Sequence, residues 1–472
     1  MATTTYFSAG PVSIKSKVSS KKMKKTVLFL VCICLFSCST EDGNGTSSNS
    51  TVDQVTTAKE ITWIKNFGGS GDDSPRSIVP TQDGGFAVFG FTNSIDGDLA
   101  GKSLNVNDYW LLKFDALGNL EWNTTYGGSK DDRGQKAIQT ADGGYAITGY
   151  AMSDDGDGSN NEGFHDNWVL RLDANGEILW EKSFGFSGHD HSYDIIETVD
   201  GGFFFSGFLD VTSSNGEGST NKGSGHTAHG VGEFWGTRLD ADGNMLWRRY
   251  FGGTNNDRAF GVVQANDGGF ILSGSSESTD FDVSNPKGSY DYWVVKVDKT
   301  GNLEWEKSFG GTGIDQSQDI AKTPDGAYVI VGNTFSTDIQ VSRNYGQSDV
   351  WLVKFNDNGD LLWEKNFGGP AFDAAHSVTV TQDGGFLISA NSKSYGNDLT
   401  ANFGENDLWL IKTNSEGNIQ WQKALGGTGL DFGFDAIESP NGSIYFIGDT
   451  ASRDFPDIEP KGGLDLVLIK LK

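Results

Sequence analysis

The last regular segment of the chain is Asp465-Leu-Val-Leu-Ile-Lys470, and the first is Glu60-Ile-Thr-Trp-Ile-Lys65. These are two halves of a pattern that runs unbroken elsewhere, as in Asn167-Trp-Val-Leu-Arg-Leu172, Asp173-Ala-Asn-Gly176 and Ile178-Leu-Trp-Glu-Lys-Ser183. A strand, a tight turn and a tryptophan strand follow one another there. The last copy lacks its tryptophan strand, and the beginning of the chain supplies one. The sequence therefore reads as a circle cut open, with its two ends predicted to pair.

Working outward, the same unit occurs seven times. Its tryptophans are Trp63, Trp122, Trp180, Trp247, Trp305, Trp363 and Trp421, at spacings of 59, 58, 67, 58, 58 and 58 residues. Each unit reads W-x-K-x-F-G-G, then Asp, then T-x-D-G-G-[FY], then D-x-W-[LV]-x-K-x-D-x-x-G. A period of this length, rich in glycine and aromatics, indicates repetition rather than one large core. In the second unit Asp132 to Thr140 and Tyr145 to Gly149 read as strands around the turn Ala141-Asp-Gly-Gly144, where Asp-Gly tolerates positive φ. Four antiparallel strands per unit and seven units predict an all-β, seven-bladed β-propeller. Closure by the terminal strands makes the tryptophan strand outermost and the strand after the repeated Asp innermost. Both tight turns then share one face. The F-G-G-x-x-x-D connections and the long loops share the other, where binding is expected.

The units resemble a family of bacterial seven-bladed propeller repeats, the SBBP repeats, with the pattern G-G-x-x-x-D, D-G-x-x-Y-x-x-G-x-T-x-S-x-D-F-P and D-x-W-[LV]-x-K. Thr312-Gly-Ile-Asp315, Asp325-Gly-Ala-Tyr328 and Gly448-Asp-Thr-Ala-Ser-Arg-Asp-Phe-Pro456 fit it. The resemblance implies the fold, found in secreted and surface proteins, and little about activity. Leu172 to Trp180 also resembles the tryptophan-docking motif of quinoprotein propellers and, faintly, the Asp-box of sialidases. In both families that element is architectural, and no arginine triad accompanies it here.

The formal charge of −27 argues against nucleic acid or an anionic membrane surface as partner. It fits a soluble or surface protein whose partner is a glycan, a peptide or another surface protein. The three cysteines, Cys32, Cys34 and Cys38, precede the repeats, so no disulfide is expected in the propeller. Lys24-Lys25 and the apolar run Thr26 to Phe36 read as a secretory signal, with Met23 the better start. Leu35-Phe36-Ser37-Cys38 resembles a bacterial lipobox, which implies lipidation of Cys38 and contact with a membrane through the lipid anchor alone. The Ser-Thr-Glu-Asp that follows is similar to the surface-export signal of Bacteroidetes-type lipoproteins and implies an outer-membrane protein facing the cell exterior. The domains expected are residues 1–37 as extension and signal peptide, 38–58 as a disordered tether, and 59–472 as the propeller.

Aspartates recur at two positions. One set is Asp73, Asp132, Asp190, Asp257, Asp315, Asp373 and Asp431. The other is Asp108, Asp166, Asp291, Asp349, Asp407 and Asp465, with Glu233 in the third unit. Residues present in every unit are expected to accept backbone N–H bonds where loop becomes strand; a calcium ring is the alternative. Asp154 to Glu162 looks like part of a calcium loop, out of register with an EF-hand.

Function is sought where the units disagree. Three places after the first Asp stand Arg76, Gln135, Tyr193, Phe260, Gln318, His376 and Phe434. One place after it stand Arg133, His191 and Arg258 among others. Aromatic, amide and basic side chains around a channel mouth suit a sugar or peptide. The third unit departs most and carries His189, His191, His226 and His229, while His165 lies in the adjacent loop. Five of the six histidines are thus expected on one corner, where with Asp190 or Glu233 they are candidate ligands for zinc or copper. Together these readings favour a non-catalytic binding or scaffold module. The alternative is a glycan-active hydrolase or lyase working at the channel mouth.

Overall fold

The structure is a computed structural model that describes residues 59–210 and 232–472. Cys38, His226 and His229 lie outside the described residues. Seven four-stranded antiparallel sheets form the molecule. Blade 1 runs from Asp73 to Tyr126, and blades 2 to 6 end at Phe184, Phe251, Phe309, Phe367 and Leu425. Blade 7 consists of Asp431–Glu438, Ile444–Thr450 and Asp465–Leu471, completed by Ile61–Phe67 from the other end of the chain. Ile64 faces Ile469 and Phe67 faces Leu466 in that antiparallel pairing. Each innermost strand neighbours the innermost strands before and after it, and that of blade 7 neighbours that of blade 1. The ring is closed. No helix among the described residues is long and apolar enough to cross a membrane.

The second and third strands of each blade are buried on both faces because blades pack on both sides of them. Their near-continuous apolar runs reflect this. The outermost strands are partly exposed. Trp110, Trp168, Trp235, Trp293, Trp351 and Trp409 of the third strands are among the largest fully buried side chains.

The repeated residues are structural devices. Every Asp of the first set accepts from the backbone N–H four residues earlier, at 2.7–3.0 Å. In the second set Asp166, Asp291, Asp349, Asp407 and Asp465 do the same at 2.6–2.7 Å. The F-G-G pair leaves room for carboxylates. A Cβ on Gly127 would stand 2.3 Å from Asp108 Oδ1, and one on Gly128 would stand 2.4 Å from Asp155 Oδ1. The basic residue of D-x-W-x-x-K reaches the Asp of the D-G-G turn, as in Lys113–Asp83 at 2.7 Å and Arg171–Asp142 at 2.5 Å. Within Asp154 to Glu162, Asp155 and Asp157 accept from the backbone N–H of Ser129 and Gly127, at 2.8 and 3.1 Å.

Each outer tryptophan docks on the next blade. The D-x-x-G turn glycines Gly118, Gly176, Gly243, Gly301, Gly359 and Gly417 lie directly under Trp63, Trp122, Trp180, Trp247, Trp305 and Trp363. The indole N–H of Trp180, Trp247 and Trp305 donates to a carbonyl of the same turn at 3.2 Å. Turn and tryptophan are therefore one inter-blade lock.

Candidate functional site

Each innermost strand carries one residue more than its neighbour can pair. The pairing slips between Pro75 and Ser77, Gly134 and Lys136, Ser192 and Asp194, and at the equivalent place in the other four blades. The unpaired residue of each bulge is Arg76, Gln135, Tyr193, Phe260, Gln318, His376 or Phe434. A bulge bends the strand and re-aims a side chain. Here all seven are aimed into the channel and line one cavity of about 110 Å³. That volume holds a few waters or the tip of a larger ligand, against ~300–1,000 Å³ for a pocket that encloses a whole small molecule.

The mouth is built from aromatic faces and cations. The Arg76 guanidinium sits 4.2 Å from the Phe434 ring centre and 4.8 Å from that of Phe91, with Asp449 at 4.0 Å. Burial raises the Asp449 carboxyl to about 6, opposed by Arg76. Tyr193 and Phe260 are 4.9 Å apart, and His376 and Phe434 are 5.3 Å apart. His376 Nε2 bonds Asn391 Oδ1 at 2.8 Å; burial, then Arg76, pushes its ring down to about 4. Arg133 and Arg258, expected beside these residues, are outside the lining. Arg133 pairs with Asp131 at 2.9 Å and Arg258 lies 5.0 Å over Phe208. A position one place after the Asp sits before the bulge, nearer the rim, which separates these two from the cavity.

The bulge also brings a second ring into the channel, which the alternation of a regular strand conceals. Lys136, Asp194, Asp319, Ser377 and Asp435 line the cavity beneath the first ring. Asp194 accepts from Ile195 N and Val262 N, Asp319 from Ile320 N and Val378 N, and Asp435 from Ala436 N and Ile78 N, at 2.8–3.1 Å. Ser77 Oγ takes the equivalent bond from Ala137 N at 3.0 Å. Three aspartates with two bonds each, and one serine, thus satisfy the same N–H in all seven blades. Burial raises Asp194 and Asp435, and raises Asp319 to about 7, with Lys136 opposing. The same three carboxylates, Asp319 foremost, push the Lys136 ammonium upward against its burial.

At the seam between blades 2 and 3, on the long-loop face, His165, His189 and His191 meet. His165 Nδ1 is 2.9 Å from His189 Nδ1, and one ring nitrogen of each lies within 4.8 Å of the others. Tyr150 stacks on His191 at 3.9 Å, Phe164 on His189 at 5.1 Å. Burial, then the neighbouring imidazoles, pushes His165 down to about 4 and His191 to about 3.

No family model matches the chain. Over 142 residues, 28% of this chain and 15% of the other protein, it is 25% identical to the Regulatory protein FlaEY of Caulobacter vibrioides. Among solved structures it is similar to Sqt1 from Chaetomium thermophilum, at 11% identity and TM-score 0.41, covering 82% of this chain and 83% of that one. A member of the DUF4221 family from Bacteroides vulgatus gives 11% identity and TM-score 0.39, covering 89% and 99%. The propeller domain of the Trilobed protease from Pyrococcus furiosus gives 10% and 0.40, covering 81% and 92%. Likenesses this remote carry no functional argument, and the seven-bladed assignment rests on this chain's own sheets.

Proposed function

We propose that this chain is a surface lipoprotein of a bacterial outer membrane, anchored through Cys38, whose propeller binds the end of a glycan or peptide at the channel mouth without catalysis. One observation carries the binding reading. In a repeat whose scaffold residues hardly vary, the unpaired residue of each bulge, which faces the channel, is arginine, glutamine, tyrosine, phenylalanine or histidine according to the blade. Uniform architecture with a varied lining is what recognition of an asymmetric ligand needs. Arg76 between Phe91 and Phe434 suits a carboxylate or sugar hydroxyl beside a stacked ring. The small cavity suits a chain end rather than a free metabolite.

The non-catalytic reading rests on the channel carboxylates. A glycosidase needs two carboxyls free to exchange protons with substrate. Asp194, Asp319 and Asp435 each hold two backbone N–H groups, one of them in the next blade. Cys38 as the anchor is supported by the Leu-Phe-Ser-Cys stretch and the polar segment behind it. Glycan and peptide arrays probed with the full chain test the binding reading. Retention of a defined glycan or peptide class supports it; turnover of an arrayed glycan would establish the enzyme instead.

A further inference from the structure

We propose that His165, His189 and His191 form a three-imidazole site for a divalent cation of the zinc–copper class, at the seam between blades 2 and 3.

The repeat itself provides the control. A parallel bridge joins the residue before the third strand of one blade to the residue before the inner strand of the next. Elsewhere that pair is Leu464 with Asp72, Tyr290 with Ile314, Ser348 with Phe372 and Asn406 with Leu430. The fold accepts apolar, hydroxyl, amide and acidic side chains there and has no need of imidazole. At this one seam both partners, His165 and His189, are histidine. The residue one place after the repeated Asp, elsewhere Ser74, Arg133, Arg258, Gln316, Ala374 or Phe432, is here a third histidine, His191.

The geometry is near that of a bound ion. Two imidazole nitrogens at ~2.0–2.1 Å from a tetrahedral zinc lie about 3.4 Å apart. The observed His165–His189 separation is 2.9 Å, and the widest of the three is within 4.8 Å. Small rotations of the exposed His189 ring and the half-buried His165 ring reach the bound arrangement. With His165 Nδ1 turned to the ion, its Nε2 faces Asp131 Oδ2 at 3.9 Å. A carboxylate behind a ligating histidine fixes its tautomer and raises its basicity. Asp131 also pairs with Arg133, offsetting the one cation that crowds the site from blade 2. Tyr150 and Phe164 stack on the rings of His191 and His189 and limit their rotation. Three neutral nitrogen donors select zinc, copper or nickel over calcium or magnesium, and leave a fourth position open.

The test uses the full chain with Cys32→Ser, Cys34→Ser and Cys38→Ser, so that thiols do not compete, stripped with a chelator. Calorimetry with Zn²⁺ at neutral pH is expected to show one ion per chain, and Co²⁺ to give the visible band of a tetrahedral site. His165→Gln, His189→Gln and His191→Gln should each abolish both signals while leaving the metal-free melting temperature unchanged. If a variant fails to fold, Cu²⁺ bound to the parent still reports its nitrogen ligands by electron paramagnetic resonance. Absence of one-to-one binding in the parent overturns the proposal. So does binding that survives all three substitutions, or that is lost only in His226→Ala/His229→Ala.

Discussion

A Cβ on Gly118 would stand 2.4 Å from Cζ2 of Trp63, so the tryptophan of the chain's first strand occupies the space that any side chain in this turn of blade 1 would need. Trp63 belongs to blade 7 through its pairing with Lys470. One contact therefore joins the first strand, the last blade and the first blade. Gly84 provides the comparison: its φ is +85°, as Gly118's is +82°, yet nothing lies within 4 Å of its Cβ position. Alanine at either site meets the same backbone strain. Gly118→Ala is expected to destabilise the protein by on the order of 1–3 kcal/mol more than Gly84→Ala, the cost of overpacking. Equal melting temperatures for the two variants would refute the lock.

The carboxyls dictate a pH dependence. Burial holds Asp108, Asp190, Asp319 and Asp349 up at about 7, far above the ~3.9 of an unfolded chain. Between those limits the folded state binds more protons than the unfolded one. The resulting stabilisation is complete below about pH 4 and is lost as pH rises through 7. His165, His191 and His376, at about 4, 3 and 4, act oppositely but only below their unfolded value, near 6.5. The melting temperature is thus expected to fall from pH 6 to pH 8. A flat or rising profile would contradict these shifts.

Lys136 is the cation of the channel floor. Lys136→Met leaves three raised aspartates with no counter-charge. The expected loss is on the order of 2 kcal/mol at pH 8, below the ~3–5 of a fully buried pair because the channel admits water. At pH 5, below the value of about 7 to which Asp319 is raised, the loss shrinks. Thermal unfolding of both proteins at the two pH values checks this; equal losses would place the aspartates' charge elsewhere.

Cys38→Ala is expected to leave the precursor unprocessed or release the protein from the membrane fraction, because stable anchoring needs acyl chains. Labelled fatty acid incorporated equally into wild type and variant would move the anchor to another residue.

Much of this was legible because repetition multiplies each signal. Seven copies of the tryptophan strand and two incomplete ends gave blade number, strand order and closure. The uniform aspartates read as N–H acceptors, as all of the first set and five of the second are, since a residue needed by every blade cannot single out a site. The inner ring Arg76 to Phe434 was found by comparing units at one position. Its partner ring, Lys136, Asp194, Asp319 and Asp435, was missed. Regular alternation assigns neighbouring residues to opposite faces, and only the bulge between Ser192 and Asp194 and its counterparts brings both to the channel. Asp at that position in blades 3, 5 and 7 was the available clue. The histidine seam was visible as an unusual local composition. That His165 faces His189 follows from packing of successive blades, which spacing along the chain does not encode.

The binding account is tested most directly by titrating the best array ligand into wild type and into Arg76→Ala, Tyr193→Ala and Phe260→Ala. One site per chain is expected, with affinity at least about tenfold weaker in each variant that remains folded, a loss of ~1.4 kcal/mol or more. Affinity indifferent to all three substitutions would contradict the account and move binding away from the channel mouth.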